Sequence, residues 1–233
     1  MNSAGGGLGL VLLTGITMIA FAANSVLCRY ALGSDLIDAA SFSALRLISG
    51  AAFLMCLVYI KDASFKLAKP RIVPVLALLA YMLGFSFAYN QLGAATGALL
   101  LFGFVQITML AYALKGGERP TLASIAGYAV AVSGLLYLVA PGLESPPPGY
   151  AGLMAIAGVA WGIYSLLGAG GKDPTQATAQ NFFYASLIAI VVSLSQIQNF
   201  SISWQGVLAA TVSGAVTSGL GYSIWYYLLG LIR

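Results

Sequence analysis

LGFSFAYNQLG, residues 83–93, occurs a second time in the chain as LGYSIWYYLLG, residues 220–230. The two stretches are identical at six of eleven positions and are offset by 137 residues. Leucine matches are common in an apolar sequence, but two glycines, a serine and a tyrosine at matching positions are not. A repeat at this distance indicates duplication of a unit of several helices, so this pair determines how we divide the chain.

The composition is that of an integral membrane protein. The chain has 233 residues, of which 60% are hydrophobic and 7% are charged, and its mean hydropathy is +0.94. Soluble domains carry about 25% charged residues. The apolar runs are continuous, which predicts helices rather than the alternating strands of a barrel, and hence an all-α membrane fold. We predict eight spans, at 8–32, 39–60, 72–91, 94–114, 121–140, 150–168, 176–197 and 204–229.

The basic residues lie in the loops on one side of the predicted bundle. Eight of the ten follow helices 2, 4, 6 or 8: Lys61, Lys66, Lys69, Arg71, Lys115, Arg119, Lys172 and Arg233. The loops on the other side (33–38, 92–93, 141–149 and 198–203) contain no Lys or Arg. Because basic loops stay in the cytoplasm, we predict a multi-pass inner-membrane protein with both termini cytoplasmic.

A second internal match extends the duplication. GLMAIAGVAWGIYS (152–165) resembles LVLLTGITMIAFAANS (10–25) at an offset of 140, which pairs Phe21 with Trp161 and Ser25 with Ser165. Helices 6–8 are therefore interpreted as a second copy of helices 1–3. One copy contains five spans, an odd number, so the second copy is predicted to be inserted upside down, as in many secondary transporters.

The predicted division is a five-helix repeat over 1–140, a Pro/Gly linker at 141–149, and an incomplete three-helix repeat over 150–233. Counterparts of helices 4 and 5 would need roughly 45 more residues after Arg233, judged from the repeat offset. We expect a ten-helix protein lacking its last two helices rather than a natural eight-helix variant.

Four stretches carry a family resemblance: ALRLISGAAFL (44–54), LGAATGALLLFGFVQITMLAYALKGGERPT (92–121), GYAVAVSGLLYLV (127–139) and GVAWGIYSLLG (158–168). They resemble helix 2, helix 4 with its Gly-Glu-Arg turn, helix 5 and the first helix of the second repeat in EamA-type members of the drug/metabolite transporter superfamily. Phe104-Val105-Gln106 stands where many members have a proline. The resemblance covers essentially the whole chain, and it implies a ten-helix exporter built from two inverted repeats.

Arg46 is the most unusual residue of the predicted spans. It lies roughly 12 Å along helix 2 at about 1.5 Å per residue, a depth at which a cation is costly and usually faces protein or water. It is interpreted either as an attractor for an anionic or carboxylate group of a substrate, or as a structural residue. In the second case it binds helix-end carbonyls or reaches Asp35 or Asp38.

Polar and aromatic side chains share faces at matching positions of the two copies. Pooled at the repeat interface, they predict an aromatic-walled pocket for flat or amphiphilic solutes. The alternative for each aromatic residue is packing in the lipid-facing or interfacial belt. The predicted substrate-binding residues are Asn24, Arg46, Ser86, Tyr89, Asn90, Gln106, Trp161, Tyr164, Tyr222, Trp225 and Tyr226.

Pairs of small residues recur four positions apart, as at Gly158 and Gly162 or Gly93 and Gly97. Such pairs allow two helices to approach closely. We predict a packing role for them and no role in substrate binding.

The composition of the predicted spans argues against catalysis. The chain has no His, and no Asp or Glu falls inside a predicted span, so neither a metal site nor general acid–base chemistry is expected. The predicted function is alternating-access export of small organic metabolites such as amino acids, without cofactor, metal or nucleic-acid partner. Without a buried carboxylate, facilitated diffusion or exchange fits better than proton antiport. The alternatives are a non-transporting membrane scaffold that needs a partner and, more remotely, an intramembrane enzyme.

Overall fold

The computed structural model describes residues 7–117, 121–139, 146–168 and 173–232. Within these ranges the chain is a bundle of helices. In order they are α1 (Gly7–Gly33), α2 (Ala39–Asp62), α3 (Ile72–Tyr89), α4 (Ala94–Lys115), α5 (Leu122–Val139), α6 (Pro148–Gly168), α7 (Pro174–Ser195), α8 (Trp204–Val212) and α9 (Gly221–Ile232). A π-helical segment, Ser213–Leu220, joins α8 to α9, and a short 3₁₀ turn covers Ile197–Asn199.

Seven of these helical stretches are long and apolar enough to cross a bilayer, with Trp204–Leu228 counted as one stretch. The chain is therefore an all-α, multi-pass membrane protein. The predicted spans agree with the observed helices to within three residues at each end. The fifth predicted span, 121–140, is the one outside these seven; it corresponds to α5, in which the apolar stretch is Leu122–Gly134.

Short polar side chains begin three of the helices. Asp38 Oδ1 accepts from the Ser41 N–H at 2.8 Å, Asp173 Oδ1 from the Gln176 N–H at 3.1 Å, and Ser203 Oγ from the Gly206 N–H at 3.1 Å. Each bond satisfies one of the N–H groups that a helix start leaves free. The loop residues therefore determine where the spans enter the bundle.

The start of α6 differs from the predicted linker at 141–149. Pro148 and Gly149 belong to the first turn of α6. Proline is compatible with this turn because its missing N–H would have no intrahelical partner there. Residues 141–145 and, in the predicted Gly-Glu-Arg turn, Glu118 and Arg119 lie outside the described residues.

Small residues bring α6 against α4, as predicted for Gly158 and Gly162. A Cβ on Gly158 would lie 2.6 Å from the Leu101 carbonyl oxygen, and one on Gly162 would lie 2.9 Å from Thr108 Cβ. By contrast, Gly93 has no neighbouring atom within 4 Å of such a Cβ. The packing prediction is thus correct for the α6 pair and wrong for Gly93, which lies at a helix end.

The two ends of the bundle are fastened by different loops. At one end Asp38 N–H donates to the Ser201 carbonyl at 2.9 Å and Ser203 N–H to the Leu36 carbonyl at 2.8 Å, flanking an antiparallel bridge between Ile37 and Ile202. We call this the bridged end. At the other, which we call the basic end, three α7 side chains hold the loop 63–71. The bonds run from Gln176 (3.0 Å) and Gln180 (2.7 Å) to the Lys66 carbonyl, and from Tyr184 (2.7 Å) to the Ala68 carbonyl.

Candidate functional site

A small cavity lies between the two ends, among α1, α3, α4 and α6. Its free volume for a water-sized sphere is about 10 Å³, the lower limit for a single water molecule. Its walls are formed by Phe21, Asn24, Ser25, Tyr81, Phe85, Leu101, Phe102 and Trp161. In this conformation the cavity is too small for an organic solute, so the side chains around it must move before such a ligand can bind.

Trp161 is the centre of the aromatic cluster around the cavity. Its ring lies 5.2 Å from Phe21 and 6.2 Å from Phe102, both edge-on, and it stacks on Trp225 at 6.2 Å. The Tyr81 ring is 6.3 Å away. Edge-on and offset-stacked contacts of this kind are favourable and fix ring orientation. Rings from α1, α3, α4, α6 and α9 therefore meet at one point.

Asn24 links α1 to the π-helical segment. Its Oδ1 accepts two hydrogen bonds, from Ser213 Oγ at 2.6 Å and from Thr217 Oγ1 at 3.0 Å. All three side chains are buried. π-Helical turns occur frequently at functional sites, and this one supplies the two hydroxyls that hold the cavity's amide.

The same segment also reaches Arg46. The Arg46 side chain is 1% exposed, and its Nε donates to Ser218 Oγ at 3.1 Å while its Nη2 donates to the Tyr81 hydroxyl at 3.0 Å. The guanidinium carbon lies 5.3 Å from the Tyr81 ring centroid and 5.0 Å from that of Phe85. The predicted alternative, in which Arg46 reaches Asp35 or Asp38, is not observed. Asp38 instead accepts hydrogen bonds from the N–H groups of Ser41 and Ser201.

Several buried polar atoms, of which those of Trp161 and Trp225 belong to this cluster, have no hydrogen-bond partner among the described residues. They are Arg46 Nη1, Ser86 Oγ, Gln106 Oε1, Trp161 Nε1, Ser165 Oγ and Trp225 Nε1. A buried polar group without a partner costs about 1–3 kcal/mol, and native proteins contain few of them. A concentration of such atoms around one aromatic cluster is therefore typical of a binding site for a polar ligand or for water.

The tyrosines predicted for the site form a second group beside it. Tyr222 lies 5.9 Å from Tyr164 and 6.0 Å from Phe21, and Tyr226 stacks on Tyr222 at 6.4 Å. The Tyr226 hydroxyl donates to the Tyr164 carbonyl at 3.4 Å. This group connects the cavity to α7, because Asn181 donates to the Tyr164 hydroxyl at 3.4 Å.

The structure separates three of the predicted residues from the cavity. Asn90 is half-buried at the end of α3 and lines a different pocket, of about 370 Å³, at the bridged end. Tyr89 is buried against Gly97, with its hydroxyl 3.4 Å from the Ala94 carbonyl. Gln106 lies on α4, one turn beyond the cavity-lining Leu101 and Phe102. Of the predicted α3 residues, neither Tyr89 nor Asn90 lines the cavity, and Asn90 lines the pocket at the bridged end instead.

Sequence reasoning missed Tyr81, Phe85 and Phe102. The first two form, with Tyr89, an aromatic series at a spacing of four along α3, which could have revealed them. Phe102 has no such signal. Ser213 and Thr217 were missed too, because their role depends on a π-helical segment that nothing in the sequence pattern predicts.

Among the described residues, no group of three His, Cys, Asp or Glu side chains is positioned to hold a metal ion. The groups available for binding are instead a guanidinium, an amide, hydroxyls and indole N–H groups. Such a site binds and orients a ligand through hydrogen bonds and aromatic contact.

Comparison with known proteins adds family and fold. No protein-family model matches the chain. A protein of known crystal structure, 19% identical, superposes with a TM-score of 0.70 over 94% of this chain and 80% of its own length, which shows a shared fold. Uncharacterized protein PA1977 of Pseudomonas aeruginosa is 46% identical over 219 residues, which are 94% of this chain and 76% of that protein. The chain therefore belongs to the same protein family as PA1977.

Proposed function

We propose that this protein carries small organic metabolites, amino acids among them, across the inner membrane by alternating access, and that it works as an exporter. The observation that carries the proposal is the central cavity. Aromatic rings form most of its wall, and polar atoms of Trp161, of Trp225, which stacks on Trp161, and of Arg46, which contacts Tyr81 and Phe85, have no partner among the described residues. A ligand with both a flat apolar part and a polar head satisfies both features.

The fastenings at the two ends support a gating mechanism. At the bridged end the loops 34–38 and 200–203 are joined by backbone hydrogen bonds, and at the basic end α7 holds the loop 63–71. Each fastening consists of a few hydrogen bonds, each with a net value of about 0.5–1.5 kcal/mol. Such contacts are weak enough to break one end at a time, and this is what alternating access requires.

Contacts between predicted repeat equivalents support an inverted five-plus-five arrangement. Phe21 and Trp161, which the offset of 140 pairs, touch each other at the cavity, 5.2 Å apart and edge-on. Helices α2 and α7, which the same repeat pairs, pack extensively against each other. Equivalent elements that meet each other are expected near a two-fold axis, and secondary transporters bind substrate at such an axis.

The resemblance to EamA-type transporters supports the same reading. It includes the helix-2 stretch around Arg46 and the α6 stretch around Trp161, and both residues lie in or beside the site. We extend the proposal to membership of that superfamily, with cytoplasmic termini and without enzymatic activity.

The experiment is transport into proteoliposomes containing the purified protein, with a panel of labelled amino acids and related organic acids. We expect flux with the wild-type chain and a loss of at least about tenfold in Trp161→Ala, because an aromatic pair contributes about 0.5–1.5 kcal/mol beyond its buried area and Trp161 contacts several rings. Trp204→Ala is the matched control, since Trp204 is 70% exposed at the start of α8. If the wild-type chain transports none of the solutes in the panel, the proposal is overturned.

A non-transporting scaffold is the second candidate, and α5 is the observation in its favour. The side chains of residues 121–130 are all exposed, and α5 packs against α4. A helix with so little of its surface covered is available to a partner protein within the membrane. The scaffold is favoured if the purified protein carries a stoichiometric partner that substitutions on the exposed face of α5 remove. The same protein must then show no flux of any solute in the panel.

A further inference from the structure

The Arg46 guanidinium is a buried cation whose hydrogen-bonding capacity is only partly used. Nε and Nη2 donate to Ser218 and Tyr81, both neutral hydroxyls, and Nη1 has no partner. Arginine carries its five N–H donors in a planar fork that matches a carboxylate. Here the fork faces hydroxyls and aromatic rings, which leaves the charge without a counter-ion in the part of the chain described.

The four acidic residues in the described part of the chain do not supply that counter-ion. All four lie in connections or at helix ends: Asp35, Asp38, Asp62 and Asp173. Asp38 and Asp173 are engaged in capping α2 and α7. The ionisable groups that interact with Arg46 in the described part of the chain include Tyr81, Tyr89, Tyr222 and Cys28. Phenols and thiols are neutral near pH 7, so they do not compensate the charge.

A buried charge without a partner costs several kcal/mol. The structure offsets part of this cost with Tyr81 and Phe85, whose rings lie over the guanidinium. The same two residues line the central cavity. Tyr81 and Phe85 therefore contact both the cation and the cavity, and we call the two rings the Tyr81–Phe85 partition.

We infer that Arg46 is the anion-binding subsite of the proposed transporter, and that the ligand is a small organic anion with a carboxylate head and a flat apolar body. This inference rests on the proposed function. The carboxylate binds Nη1 and Nη2, taking the place of the Tyr81 hydroxyl on Nη2 as the Tyr81–Phe85 partition opens. The apolar body lies against Phe21, Trp161 and Phe102, where the cavity already has its aromatic walls.

The test compares two probes of nearly equal shape and different charge, phenylacetate and phenylacetamide. Equilibrium binding to the full chain in nanodiscs is measured first, and flux in proteoliposomes is measured separately. We expect the wild-type chain to bind phenylacetate at least about tenfold more tightly than phenylacetamide, because a bidentate charge-assisted pair is stronger than a neutral hydrogen bond. Equal affinity for the two probes would overturn the inference without the need for any variant.

Two variants separate an anion site from a structural role of Arg46. In Arg46→Met the preference for phenylacetate is expected to disappear, whereas in Tyr81→Phe it is expected to persist, because the fork remains and loses only a neutral hydroxyl. A preference that survives Arg46→Met, or that is lost equally in Tyr81→Phe, would overturn the inference. Equal flux of phenylacetamide and phenylacetate would refute the anion site but still support transport. Charge-selective binding without flux of any probe would support the anion site and refute transport.

Discussion

Packing of α4 against α6 provides the sharpest test of how this bundle is held together. Gly158 lies where the two helices are closest, and a Cβ there would be 2.6 Å from the Leu101 carbonyl oxygen and 2.8 Å from Phe104 Cβ. Non-bonded carbon atoms prefer about 3.5–4.0 Å. Gly158→Ala must therefore push the helices apart by about 1 Å, because the atoms it meets belong to backbone and to a Cβ and cannot rotate away.

The size of the effect follows from overpacking. Extra methyl groups in a well-packed interior lower the stability by about 1–3 kcal/mol. Where the helices separate by about 0.5–1 Å, each atomic contact along the interface loses a quarter to a half of its dispersion energy. Gly152→Ala is the matched control on the same helix, because a Cβ at Gly152 meets nothing within 4 Å. Alanine there gains up to about 1 kcal/mol of helix propensity.

We expect the two variants to differ in free energy of unfolding by about 2 kcal/mol or more, Gly158→Ala being the less stable. The measurement is unfolding in mixed micelles with increasing dodecyl sulfate, followed by helical circular dichroism. Tryptophan emission is a second readout, because α4 also carries Phe102, which lies 6.2 Å from Trp161. If the two variants unfold at the same denaturant concentration, α4 and α6 do not make this contact.

Three further predictions concern the rest of the chain. Asn24→Ala leaves two buried hydroxyls of the π-helical segment without their acceptor, and we expect it to cost about 1–3 kcal/mol in the same unfolding assay. The double variant Gln176→Ala, Gln180→Ala frees the loop around Lys66, and we expect trypsin to cleave there several-fold faster in detergent, since two hydrogen bonds of about 1 kcal/mol each are lost. In a chain whose native cysteines are replaced by alanine, Ser201→Cys is expected to react with a membrane-impermeant maleimide in whole cells, because the basic loops lie on the opposite side.

Each of these has its own control. Thr14→Ala removes a hydroxyl that bonds only its own helix, to the Leu10 carbonyl, and should cost less than about 0.5 kcal/mol; a loss as large as that of Asn24→Ala would contradict the first. Gln196→Ala, at the other end of α7, should leave cleavage unchanged. Labelling of Lys69→Cys rather than Ser201→Cys in whole cells would reverse the predicted orientation.

The spans were predictable because of what a bilayer demands. Every backbone N–H and C=O within the hydrocarbon must be paired inside the segment, so a long apolar run has one available structure. Asp38, Asp173 and Ser203 were not predicted as caps, although short polar residues of this kind satisfy the free N–H groups of a helix start. The close approach of Gly158 also follows from local sequence, because two small residues four apart share one helix face.

The members of the site were predictable only in part. Arg46 was identified because a cation deep in a span is costly, and Asn24 and Trp161 because they share helix faces at matching positions of the two repeat copies. Asn90 is equally polar, but it lies at the helix end and lines the pocket at the bridged end. Asn90 differs from the other residues in its depth along the helix. The pattern of residues that share a helix face does not give this depth, because the same face runs along the whole helix.

Composition, the placement of the basic residues and an internal repeat were enough to predict a multi-pass helical membrane protein, the order of its spans, and Asn24, Arg46 and Trp161 as residues of its centre. The tertiary structure decided which of these meet. It placed the π-helical segment so that Ser213 and Thr217 hold Asn24 while Ser218 holds Arg46. It also brought Tyr81 and Phe85 against both the cation and the cavity. These contacts join residues up to 193 positions apart, so they depend on helix packing rather than on any local preference.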